Sequence, residues 1–232
     1  MTVYFRHSTI SESASHKPRL AKSLPPHRNG FYRLGGKIVF DWLLVLAALP
    51  VVLPLIGILV LLLALGGAVP FYRQQRVGRN GKTFQMLKLR TMVPNAGQVL
   101  QDYLAQNPEA RREWDRDQKL RNDPRITRLG RFLRKASIDE LPQLWNVLRG
   151  EMSLIGPRPM MVDQQTLYPD PGLAYYRLRP GITGLWQVSD RNESSFAERA
   201  DFDGSYYNDL SLKADLSIFF RTIGVVVRAT GY

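Results

Sequence analysis

The 232-residue sequence predicts an α/β chain, mostly helical, in three parts: a basic tail over residues 1–36, a re-entrant membrane helix over 37–70, and a small domain over 71–232 that contains a β-hairpin. Three observations predict this class. No charged residue occurs from Trp42 to Tyr72, and Pro50 and Pro54 interrupt that run near its middle. Basic residues flank the run on both sides. Beyond Pro70, short β-patterned stretches around an Asn-Gly pair give way to amphipathic helical patterns.

The tail carries Arg6, Lys17, Arg19, Lys22, Arg28 and Arg33 against Glu12 alone, and is rich in Ser, Pro and His. Such a segment cannot bury enough apolar surface to order itself, and its charge draws it to anionic lipid headgroups. The net charge of +12 likewise implies an acidic partner.

The stretch from Trp42 to Leu65 would form a helix of roughly 36 Å, enough to cross a hydrocarbon layer of about 30 Å. A single span is therefore the plainer reading. Two features oppose it. Each proline removes a backbone donor and favours a kink, which places a break at Pro50 and at Leu53-Pro54. Arg33 and Lys37 precede the run, and Arg73, Arg76, Arg79 and Lys82 follow it. Basic residues mark the cytoplasmic flank, so positive charge at both ends suits a bent helix that enters and leaves by one face. The run starts too far into the chain, and is too long, for a secretory signal peptide.

In the domain, FYRQQRV and KTFQMLKLRTM read as two strands joined at Asn80-Gly81, a strong hairpin signal. Residues 95–120 read as a polar, solvent-facing helical appendage with a second helix opening at Pro108. Asp123-Pro124 reads as an N-cap with proline at the first helical position, opening RITRLGRFLRKA. There Ile126, Leu129, Phe132 and Leu133 share one side, while Arg125, Arg128, Arg131 and Arg134 recur along another. A basic amphipathic helix of this kind suits a membrane interface. The C-terminal LSLKADLSIFFRTIGVVVRA repeats the theme through Leu212, Leu216, Phe219, Ile223 and Val226.

The chain contains no cysteine, and its three histidines, His7, His16 and His27, all lie in the tail. From Gly30 onward this excludes a Ser/His/Asp triad, a thiolate nucleophile and the usual zinc sites. What remains are hard oxygen ligands and guanidiniums, the groups that magnesium-assisted phosphoryl chemistry uses. The stretch from Ala136 to Pro159 concentrates them. Asp139 and Glu140 follow a basic run, and Arg158 sits between Pro157 and Pro159 in GPRP. Carboxylates among guanidiniums are expected to stay ionised, suited to attacking or to holding a cation. Adjacent helical residues point about 100° apart, so the pair should have separate jobs rather than share a proton. Taken alone, an Asp-Glu pair before an apolar run is a helix-dipole device. The stiff arginine loop downstream suits gripping a phosphate and weighs against that.

SIDELPQLWNVLRGEMSLIGPRP, FYRQQRVGRNGKTFQMLKLRTM and RPGITGLWQVSDRN, in this order, closely resemble the bacterial sugar transferase family, the monotopic phosphoglycosyl transferases. The resemblance runs from about Lys37 to the C-terminus. It implies a re-entrant membrane helix, interfacial amphipathic helices and a small catalytic domain on the cytoplasmic face of the bacterial inner membrane. Within the family the chain looks most like the small exopolysaccharide enzymes that move galactose 1-phosphate or glucose 1-phosphate from a UDP-sugar to undecaprenyl phosphate, expelling UMP. The resemblance implies Asp139 as nucleophile forming a covalent phosphosugar, Glu140 as base or metal partner, and Mg²⁺ held by Asp139 and Glu140. Arg158 with Pro157 and Pro159, and the basic pair Lys88 and Arg90, are implied as phosphate-binding. Asp203, Tyr206 and Arg191 match further family motifs of less defined role. A homodimer is compatible with this reading.

The chain departs from the family pattern in three places. Leu53-Pro54 replaces the usual Ser-Pro, Asp190 replaces a glycine, and Leu210 stands where an aromatic is usual. A membrane-anchored basic binding or scaffolding module is the competing class. It would account for the charge but not for Asp-Glu beside GPRP. Nucleic acid is not expected as a partner, since aromatic residues are not interleaved with the basic run.

Overall fold

The computed structural model describes residues 30–117, 120–168, 174–189 and 198–227. The histidines, most of the basic tail, Asp190 and Arg191 lie outside these residues. The first helix, α1 (Lys37–Leu65), is continued N-terminally by a π-helical stretch, Tyr32–Gly36, so the end of the expected tail is ordered helix. A tight network anchors it. Lys37 and Tyr32 both reach Asp215 Oδ2 at 2.5 Å, and Tyr206 donates to Asp215 Oδ1 at 2.6 Å. Ser153 donates to Asp41 Oδ2 at 2.6 Å, and Arg33 to the Tyr207 carbonyl at 2.5 Å.

The helical hydrogen bonding of α1 runs through Pro50 and Pro54 without ending the element, so the expected break at Leu53-Pro54 is not a break in secondary structure. Flanking turns can hold a helix together across a proline. Asp41, Val45, Leu59 and Leu63 face inward at helical spacing, while Leu43, Leu46, Val51, Leu53, Ile58, Leu61 and Leu65 are exposed. Tyr32–Leu65 is long and apolar enough to cross a membrane.

β1 (Phe71–Val77) and β2 (Thr83–Leu89) form the expected antiparallel hairpin, with Asn80 and Gly81 in the left-handed region at φ 58° and 73°. Phe84 and Met86 turn into a cluster with Val45, Val147 and Met152. Next come α2 (Ala96–Gln106) and α3 (Pro108–Asp117), the latter starting at Pro108 as predicted.

The next helix starts later than predicted. α4 spans Arg128–Lys135, with Thr127 as N-cap accepting from Gly130 N at 2.9 Å. Asp123 accepts instead from Arg125 N and from its guanidinium, and Ile126 bridges Met92. The pairing of this segment with the end of the hairpin outcompetes helix propensity. Gly130 is needed where α4 crosses, because a Cβ would strike the Thr91 carbonyl. The expected apolar side also divides. Leu133 packs on Leu59, Leu63 and Leu89, whereas Phe132 is 62% exposed beside exposed Arg128 and Arg131.

α5 (Gln143–Leu148) leads to β3 (Ser153–Ile155), which pairs in parallel with β4 (Gly181–Thr183) after the short α6 (Ala174–Arg177). α7 (Arg199–Asp209) and α8 (Leu212–Val227) close the described fold. The predicted C-terminal stripe splits as well. Ile218 and Phe219 pack inward, while Leu212, Leu216, Phe220 and Ile223 are exposed.

Candidate active site

Asp139 and Glu140 sit in a single 3₁₀ turn, Ile138–Glu140, between α4 and α5, entered through Ser137 in a left-handed conformation at φ 55°. Two contacts fix this turn. On the α5 side, the buried Asn146 accepts from Leu87 N at 3.1 Å and donates to the Gln85 carbonyl at 2.9 Å, reading the free edge of β2. That docking brings Lys88, on the Phe84/Met86 face of β2, against both carboxylates. Lys88 Nζ lies 2.6 Å from Glu140 Oε1 and 3.9 Å from Asp139 Oδ2.

The Pro157–Pro159 strap leaves β3 and crosses beside this pair. Its start is tied to β4 by Gly156 N donating to the Thr183 carbonyl at 2.8 Å and Gly181 N to the Pro157 carbonyl at 2.7 Å. Pro157 thus shapes the strap, whereas Arg158 and Pro159 line a small cavity with Arg76, Lys88, Glu140 and Gln143. Among the described residues, nothing accepts a hydrogen bond from the Arg158 guanidinium. The cavity opens into a cleft of about 1820 Å³ that holds both carboxylates and extends to Val52 and Leu55 of α1. Arg90 also lines this cleft, while its Nε donates to the Val69 carbonyl at 2.8 Å, at the junction of helix and hairpin.

Asp139 is less simply ionised than the sequence suggests. Burial pushes the Asp139 carboxyl above the ordinary range, Lys88 opposes it, the Glu140 charge adds to it, and Arg134 and Arg158 oppose it further. Asp139 is 5% exposed, and the desolvation this imposes is invisible to a reading of neighbouring charges. A divalent ion would find hard oxygens here, but among the described residues no cluster of three or more acidic or imidazole groups could hold one by itself. Two carboxylates completed by substrate phosphates and water are what magnesium ordinarily uses.

Asp203 and Tyr206 do not line the cleft. Asp203 is buried, accepts from Tyr168 at 2.7 Å and lies near Arg199; burial pushes it up to about 6. Tyr206 belongs to the Asp215 network that anchors α1. The sequence marked Arg76 only as a basic flank of the apolar run, and did not single out Arg199, Trp186 or Gln187. Arg199 stacks over Trp186 at 5.0 Å and donates to the Arg158 carbonyl at 2.8 Å. Three buried side-chain polar atoms lack a partner among the described residues, Arg76 Nε and both polar atoms of the Gln187 amide, and both residues line the cleft. The signal that could have found them was the motif itself: Arg76 lies in FYRQQRV and Gln187 in GLWQV.

The comparisons with known proteins bear on this site. The bacterial sugar transferase family matches residues 32–229, which include every described cleft residue. The chain is 46% identical over 213 residues to a UDP-galactose-lipid carrier transferase of Erwinia amylovora, covering 92% of this chain and 44% of that protein. It is 44% identical over 224 residues to the exopolysaccharide production protein ExoY of Sinorhizobium fredii, covering 95% of this chain and 99% of that protein. It is 51% identical over 165 residues to an undecaprenyl-phosphate galactose phosphotransferase of Salmonella typhimurium, covering 71% of this chain and 35% of that protein. The chain therefore spans less than half of two of these relatives and nearly the whole of the third. On the match over residues 32–229 and these identities, the chain belongs to the bacterial sugar transferase family and is a transferase.

Proposed function

We propose that the chain transfers a hexose 1-phosphate, galactose or glucose, from a UDP-sugar to undecaprenyl phosphate, releasing UMP, as an early membrane step of exopolysaccharide synthesis. The observation that carries this reading is the cleft. It joins a Lys88-paired carboxylate couple, an arginine with no described acceptor and the apolar wall of α1. A soluble anion and a lipid phosphate can meet there, and the names of the relatives supply a UDP-sugar donor and an undecaprenyl-phosphate acceptor.

In the first step, an Asp139 carboxylate oxygen attacks the sugar-linked phosphorus. The bond to the bridging oxygen breaks, UMP leaves with that electron pair, and an aspartyl phosphosugar remains. In the second, an oxygen of undecaprenyl phosphate attacks the same phosphorus, the acyl-phosphate bond breaks, and Asp139 is regenerated. Glu140, held by Lys88, accepts the proton if the lipid phosphate arrives as its monoanion. Lys88, Arg90 and Arg158 offset phosphate charge, and Asp139 and Glu140 would hold a Mg²⁺ that adds to that neutralisation.

The reading places α1 re-entrant in the inner membrane, with the domain at the cytoplasmic face. At roughly 1.5 Å per residue, α1 is about 43 Å long. Yet its start docks on Ser153 and Asp215 and its end on Leu89 and Leu133, all within one domain. A perpendicular span would carry one of these ends away. The exposed Leu216, Phe220 and Ile223 of α8 and Phe132 of α4 give the domain apolar contacts for the interface. The test is UMP release by purified protein given UDP-galactose or UDP-glucose, Mg²⁺ and undecaprenyl phosphate. Asp139→Asn should abolish it. Release at the wild-type rate by that variant would remove Asp139 from the mechanism.

A further inference from the structure

Two arginines, Arg199 buried and Arg76 half-buried, grip the Arg158 strap by its backbone. Arg76 Nη1 donates to the Pro159 carbonyl at 3.0 Å, and Arg199 Nη2 to the Arg158 carbonyl at 2.8 Å. Their charges are balanced differently. Arg199 has Asp203 nearby, whereas no carboxylate pairs with Arg76 among the described residues. Its Nη2 donates to the neutral Gln74 amide at 2.6 Å, and its buried Nε has no acceptor. Burial, and then the nearness of Arg158, pushes Arg76 down to about 10, which still leaves it cationic at neutral pH. Two neighbouring guanidiniums, one of them with a buried Nε and no counter-charge among the described residues, repel each other and favour an anion between them.

We infer that Arg76 is a positioning residue of the donor site. It holds the Pro159 carbonyl so that Arg158 faces the cavity beside Lys88 and Glu140, and its uncompensated charge raises the affinity of that cavity for a diphosphate. This rests on the transferase reading above. The donor is favoured over the lipid phosphate because no residue of α1 lines the small cavity at Arg76, whereas Val52 and Leu55 line the wider cleft.

The full chain carrying Arg76→Gln or Arg76→Lys tests this. Removing a charged hydrogen-bonding group of this kind should raise KM for the UDP-sugar roughly 10- to 100-fold. It should weaken inhibition by UMP in parallel and leave KM for undecaprenyl phosphate unchanged. Arg76→Lys keeps the charge but cannot reach both Pro159 and Gln74, so its donor KM should fall between wild type and Arg76→Gln. A thermal shift with inorganic pyrophosphate reads the anion site without turnover: wild type should be protected and Arg76→Gln much less so. Equal pyrophosphate protection in folded Arg76→Gln, or KM rising alike for both substrates, would overturn the assignment. Wild-type protein protected by pyrophosphate through Arg76 but releasing no UMP from any UDP-sugar would sink the proposed UDP-sugar reaction, and leave Arg76 serving a different anion.

Discussion

Replacing Lys88 with methionine removes one charge while keeping most of the side chain's length. Lys88 Nζ stands 3.9 Å from Asp139 Oδ2, with side-chain exposures of 19% and 7%. At an effective dielectric constant of about 20, that separation corresponds to about 4 kcal/mol of attraction. Solvent reaches Lys88, so the contact is better valued at about 1.5–3 kcal/mol, as for other charge-assisted contacts. A contact of that size moves an ionisation equilibrium about 10- to 100-fold. The sign follows from burial, which already raises this carboxyl and which Lys88 opposes. Without Lys88 the carboxylate forms only at higher pH, and the ionised form is the nucleophile. The acid limb of kcat/KM for UMP release should therefore move up by about one to two pH units in Lys88→Met, and by much less in Lys88→Arg. Rate profiles from pH 5 to pH 9 in mixed buffers of constant ionic strength would measure it. An acid limb that stays in place in a folded Lys88→Met protein would refute Lys88 as the group that keeps Asp139 ionised.

Asn146→Ala strips the β2 edge of its two side-chain bonds and should lower stability by about 2–4 kcal/mol in denaturant melts, with activity falling as the 3₁₀ turn loosens. Burial holds Asp203 at about 6, above its ordinary 3.8, so between those limits the folded chain binds a proton the unfolded chain has released. Stability should accordingly fall as pH rises through that window, and Asp203→Asn should flatten this slope in thermal melts. The chain has no cysteine, so Leu34→Cys and Val69→Cys, both at exposed positions flanking α1, report topology cleanly. A membrane-impermeant thiol reagent should reach both from the cytoplasmic side, and labelling from opposite sides would rule out re-entry.

Where local chemistry decides structure, the sequence was informative. Asn80-Gly81 marked the hairpin, Pro108 opened α3, and Lys88, Asp139, Glu140 and Arg158, each singled out in its motif, line one cleft. Tertiary contacts decided the rest. Asp123-Pro124 has the form of a helix start, but the pairing of Ile126 with Met92 delays α4 to Arg128. The stripes of α4 and α8 could be read for period but not for which residue turns inward, since packing on α1 and β3 sets that rotation. Asp203 and Tyr206 stand out in their motif, yet one lies near a buried arginine and the other holds the root of α1. Arg76 and Arg199 act through carbonyls 83 and 41 positions away, which no local pattern encodes.

Covalent attachment of Asp139 to the sugar phosphate can be observed directly. Protein incubated with UDP-sugar and Mg²⁺ but without undecaprenyl phosphate, quenched in acid and digested, can be read by mass spectrometry. A hexosyl phosphate should appear on the peptide containing Asp139, be discharged when undecaprenyl phosphate is added and be absent from Asp139→Asn. An adduct on another residue, or transfer to the lipid with no adduct on any peptide at any time point, would contradict it.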